Sequence, residues 1–140
     1  MRTDGIKHQI GRSITRQRAQ VLGLAAIGIV VILQAVNSFG CYKHDFTVFL
    51  ISLGFIAIPM LPALVGVFTA NPLRAVGASG LFAPWLALAF YTDCIRPYAG
   101  GGASMAYVGV VTCGFFTALL GALVSGFVLR LIGIEVRGAA

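Results

Sequence analysis

Between Arg18 and Arg130 only five charged residues interrupt the chain, and they fall in three short groups: Lys43 with Asp45, Arg74 alone, and Asp93 with Arg96. The charge-free runs between them cover residues 19–40, 46–70, 75–92 and 99–129. A helix rises about 1.5 Å per residue and a hydrocarbon core is about 30 Å thick, so roughly 20 apolar residues suffice to cross it. Backbone groups in lipid must be paired within the segment or in a closed barrel, and these runs lack the strict alternation of barrel strands. The expected fold is therefore an all-α bundle of four transmembrane helices with short loops. Its spans are about 19–40, 46–70, 75–92 and 103–129, flanked by tails at 1–18 and 133–140 around one domain of 19–132.

Composition agrees. The chain is 59% hydrophobic and only 10% charged, against about a quarter charged in soluble domains, and its mean hydropathy is +0.95. The third run is the shortest and should stand nearly upright. The second is long enough to tilt, and Pro59 and Pro62 should kink it by removing backbone donors near its middle.

Basic residues near membrane ends set orientation. With four spans, Arg2, Lys7, Arg12, Arg16, Arg18, Arg74, Arg130 and Arg137 share one side and only Lys43 and Arg96 the other. Both termini are accordingly expected in the cytoplasm of a bacterial cell, the bundle in its inner membrane. The two outer loops begin with "GCYKHDF" (40–46) and "YTDCIRPY" (91–98), each pairing one base with one acid and each carrying one cysteine.

An outer rim facing an oxidising compartment favours disulfides, which predicts a bridge between Cys41 and Cys94. Three readings compete with it: two free thiols; a metal site built from Cys41, His44, Asp93 and Cys94; and a lipoprotein signal, in which Ser38 departs from the usual leucine. No metal or cofactor is expected. Cys113, inside the fourth span, is expected to be a small buried apolar residue.

Within the fourth span small residues recur every four positions, as Gly114, Ala118, Ala122 and Gly126, beside a second row of Thr117, Gly121 and Ser125. At 100° per residue these rows cover one half of the helix, and Phe116, Leu119, Leu120, Leu123 and Phe127 cover the other. Helices in lipid associate where small side chains let backbones approach, so the small half is a helix-packing or partner face. The third span offers Ser79, Ala83 and Ala87, with Pro84 and Trp85 alongside. Gln34 and Asn37 should hydrogen-bond across helices, and Tyr42, Tyr91 and Tyr98 suit an outer aromatic belt near Trp85.

The N-terminal tail sets Ile6, Ile10 and Ile14 on one helical line. Lys7, Arg12, Arg16 and Arg18 lie off that line, as in an interfacial helix on anionic lipid. It has no stacking aromatics or motif for nucleic acid.

No span carries an ionisable side chain in its interior, which argues against a proton-coupled carrier. No catalytic motif is present, so no enzymatic activity is expected. The leading expectation is a non-catalytic inner-membrane protein that associates with another integral membrane protein. It could be an accessory subunit of a membrane complex or an immunity-type protein against a membrane-inserting toxin. The alternative is a small homo-oligomeric pore or carrier for a neutral solute, using Gln34, Asn37, Thr112 and Thr117. A third reading has the basic tail recruit a cytosolic partner.

Overall fold

A computed structural model describes residues 13–96 and 105–138. Strand β1 (Ser13–Thr15) runs into helix α1 (Arg16–Ala35), whose N-terminus is capped by the Thr15 hydroxyl accepting from the Arg18 amide. A π-helical turn, Val36–Cys41, closes α1. Then follow α2 (Phe46–Ala57), α3 (Leu61–Phe68), α4 (Arg74–Phe90) with a second π-helical turn at Tyr91–Ile95, α5 (Ala106–Leu131) and β2 (Glu135–Arg137).

Three helical stretches, Arg16–Cys41, Arg74–Ile95 and Ala106–Leu131, are long and apolar enough to cross a membrane, and a fourth is obtained if α2 and α3 count as one broken span. The break is sharper than a kink: the two axes diverge by 70°. The two prolines do different things. Pro59, buried in the break, withholds a donor where the helix would have continued. Pro62 sits in the first turn of α3, where its missing amide has no intrahelical partner to lose. Arg16 at the start of α1 reaches the carbonyl of Phe68 at the end of α3 (3.5 Å). The bent pair thus carries the chain from the Cys41 end of the bundle back to the level where α1 began.

The third helix continues past the charge-free run, so that Asp93 and Cys94 are helical. The segments just before α1 and just after α5 also meet. Ser13–Thr15, Ile14 included, is extended rather than helical and pairs in parallel with Glu135–Arg137. Ile6 and Ile10 of the expected interfacial helix lie outside the described residues. The return of the chain after α5 is made by Gly133 at φ 69°. Its amide bonds Arg130 O and the next amide bonds Leu129 O, which closes the helix in a Schellman motif.

α4 is the hub, packing against α1, α3 and above all α5. Its buried stripe is Ala75, Ala78, Ser79, Phe82, Leu86 and Ala89. Ser79 belongs to it, but Ala83 is only half-buried and Ala87 is exposed, because Phe82 and Leu86 rotate the packed face away from the Ser79–Ala83–Ala87 row. Opposite lies the stripe of α5, Val110, Gly114, Ala118, Gly121, Ala122 and Gly126. The aromatic and leucine half of α5 points outward, with Phe116 69%, Leu123 59% and Phe127 64% exposed. Such a surface is unsuited to water and matches acyl chains. The chain is a small multi-pass helical membrane protein.

The closest approach falls where two glycines meet. A methyl group built on Gly77 would run into the carbonyl oxygen of Gly121, and one built on Gly121 into that of Gly77. Backbone cannot retreat as a side chain can, so Gly121→Ala should destabilise the bundle by about 1–3 kcal/mol. Gly28→Ala, in open space on α1, should be neutral or slightly stabilising because alanine favours helix. Thermal unfolding in detergent will order the variants, and equal midpoints would show that α4 and α5 do not meet at this point.

Candidate functional site

Chemistry-bearing side chains collect at the end of the bundle opposite the strands. α1 and α4 both finish in a π-helical turn, and each turn holds one cysteine. Cys41 and Cys94 form a disulfide with Cα atoms 5.7 Å apart, across 53 residues of sequence. With the sulfurs bonded to each other, neither is a thiolate for the metal site weighed above, and Cys41 is not the anchor of a lipidated N-terminus.

The two acidic residues at this end each have a structural role. Asp45 caps α2, its carboxylate accepting from the Val48 amide at 2.8 Å. Asp93 accepts a short hydrogen bond from the Tyr42 hydroxyl. Burial first, and then the bond and charge of Asp93, push the Tyr42 phenol well above its ordinary range. A phenol so placed stays protonated and keeps donating. Tyr42 also stacks on His44 with ring centroids 5.3 Å apart. It is therefore part of the loop's packing, while Tyr91 is exposed as a belt residue would be. The turn itself is tight: Lys43 takes φ 55°, and the His44 amide bonds Ser38 O at 2.9 Å.

Beneath this cap lies a sealed polar layer. Gln34 and Ser38 are fully buried and Asn37 nearly so. Gln34 Nε2 donates to Ser52 Oγ of α2 at 3.0 Å, and Tyr107 of α5 donates to Gln34 Oε1 at 3.0 Å. Asn37 Nδ2 donates to the carbonyl of Leu86 in α4 at 3.1 Å. One cluster thus ties α1 to each of the other three spans. The bonds cross from helix to helix, as interhelical glue does.

The other sequence-derived positions disperse. Thr117 accepts from Trp85 Nε1 at 3.0 Å, which places Trp85 in the α4–α5 contact rather than at a membrane surface. Thr112 is exposed and donates to Val108 O of its own helix. Gln34, Asn37, Thr112 and Thr117 therefore do not face a common passage. Cys113 is exposed, not buried: it lies about 100° around the helix from Gly114 and faces outward, where lipid, not protein, keeps it from water. Arg16 and Arg18 are exposed at the start of α1, and Lys7 and Arg12 lie outside the described residues.

The small face of α5 is occupied. Gly114, Ala118, Gly121, Ala122 and Gly126 are buried, and Thr117 and Ser125 half-buried, in contact with the chain's own α4. Phe82 of α4 sits on Gly114 so closely that a Cβ there would come within 2.6 Å of its ring. What sequence reasoning missed is the cleft between α2 and α5, lined by Ser52, Phe55, Tyr107, Val108, Val111 and Thr112 and about 380 Å³ in volume. It exists because the break at Pro59 lets α3 pack into the bundle while α2 stands off from it, and no local pattern marks that divergence.

Comparison with protein-family models, with curated proteins and with solved structures finds no match.

The disulfide closes a 53-residue loop, for which the chain-entropy estimate is about 4 kcal/mol. Reduction, or Cys41→Ser, should lower the unfolding midpoint in detergent, and the unreduced protein should carry one free thiol, Cys113, on denaturing titration. Three titratable thiols without reductant would contradict the bridge.

Proposed function

We propose that the protein is a non-catalytic inner-membrane protein that works by associating with an apolar helix of another integral membrane protein. The cleft between α2 and α5 would receive that helix, as an accessory subunit or an immunity-type protein would require. The observation that supports this reading is the cleft itself, which the described residues leave where α2 stands off from α5. Apolar tails supply no drive for helices to associate, so a recess with an almost wholly apolar wall favours a helix that can pack small side chains closely into it. Of the two roles the sequence left open for the small face of α5, helix packing or partner binding, this reading assigns it the first, since it lies against α4.

Orientation follows from the same frame. The paired strands bring residues 13–15 and 135–137 to one end of the bundle, the end where Arg16, Arg74 and Arg130 also begin or finish helices. The disulfide caps the other end. With four spans, the positive-inside bias and the need of a disulfide for an oxidising compartment both support termini in the cytoplasm. A periplasm-active phosphatase reporter should be inactive when fused after Ala140 and active when inserted at Lys43; the reverse pattern would invert the map.

For the partner, a photo-crosslinking amino acid at Phe55 or Thr112 in native membranes should give one discrete adduct. The same group at Leu120, on the opposite side of α5 from Val111, should give only diffuse lipid adducts. Val111→Trp, filling the cleft, should abolish the discrete adduct. Equal crosslinking at Leu120 would remove the cleft from the reading, and an adduct of twice the chain's own mass would replace the partner with self-association.

A further inference from the structure

At the end of the bundle where the strands pair lies a second recess, a cavity of about 710 Å³ between the α3–α4 turn, the last turns of α5 and β2. Among the described residues three arginines line it, Arg74 from the first turn of α4, Arg130 from the last turn of α5 and Arg137 from β2, with Asn71 and one carboxylate, Glu135. Their convergence is a product of the fold: the packing of α4 on α5 brings Arg74 to the last turns of α5, where Arg130 lies, and the return of the chain after Gly133 adds Arg137.

The Arg74 guanidinium is held in a fixed place. It lies against α5 at Gly126, where a Cβ would come within 3.0 Å of Nε and 3.3 Å of Nη2. Its Nε is shut off from solvent and has no hydrogen-bond partner among the described residues. Arginine keeps its proton, so the half-buried guanidinium brings a fixed positive charge to the cavity wall, with one N–H left unpaired among the described residues. Three guanidiniums around one cavity also repel, with one carboxylate to offset them.

We propose that this cavity binds a phosphate group, supplied by the headgroup of an anionic phospholipid in the leaflet at the termini. The planar fork of a guanidinium matches phosphate oxygens, and two or three forks from different elements can hold one phosphate from several sides. The site sits at the ends of membrane-crossing helices, at headgroup depth, where anionic lipid is the most abundant phosphate. A soluble phosphate shares the chemistry.

Native mass spectrometry of the detergent-solubilised protein, given equal amounts of phosphatidylglycerol and phosphatidylcholine, tests it. The wild type should retain one phosphatidylglycerol in preference, and Arg74→Gln or Arg130→Gln should each reduce that preference about fivefold. Arg96→Gln, at the opposite end, should leave it unchanged. Arg130 is exposed, so its variant reports on charge even if Arg74→Gln disturbs packing. Calorimetry with inorganic phosphate separates the sources. Heat of binding that disappears in Arg130→Gln, without lipid preference, would support the phosphate site with a soluble source. Equal retention of both lipids together with no phosphate binding would overturn it, as would a preference that both variants keep.

Discussion

The bundle depends on α4 and α5 coming together at Gly77 and Gly121, close enough that neither position has room for a methyl group. In lipid there is no hydrophobic drive between helices, so the stabilisation must come from dispersion and from polar contacts made at short range. Two glycines facing each other allow the backbones to approach, and the rest follows from that approach. Phe82 settles on Gly114, Trp85 reaches Thr117, and the outward half of α5 is left to the acyl chains. Because α4 also holds α1 and α3, a separation at this contact would loosen three helices at once.

At the other end the structure is closed by covalent and polar bonds together. The disulfide joins the ends of α1 and α4, the Tyr42–Asp93 bond lies beside it, and the layer of Gln34, Asn37, Ser38, Ser52 and Tyr107 sits below. Polar side chains in a membrane interior are often read as a transport path, but these satisfy one another and their bonds cross between spans. Their chemistry is inward and structural, which directs attention to the two recesses they do not fill: the apolar cleft beside α2 and the arginine-lined cavity beneath α4.

The candidate site was partly legible in the residues. Cysteines at two outer rims, an oxidising side and matched loops pointed to Cys41 with Cys94, and the small face of α5 was visible as a four-residue period. What was not legible was which neighbour would take that face. A period of small residues specifies close packing without naming the partner helix, and Phe82, a bulky residue on α4, is part of the answer although it belongs to no small-residue pattern. The exposure of Cys113 and the placement of Trp85 were misjudged for a related reason, since in an apolar helix every position resembles every other until a facing surface is defined.

The sequence by itself determined the medium, the helical class and the charge asymmetry between the two ends, because runs of uncharged residues and the positions of lysine and arginine are one-dimensional properties. Only the tertiary structure decided that α2 and α3 diverge by as much as 70°, that the segments flanking α1 and α5 pair as strands, and that Arg74, Arg130 and Arg137 line one cavity. Those outcomes depend on which surfaces meet across long separations. In lipid that choice is made by shape and by a few hydrogen bonds, neither of which leaves a period in the chain.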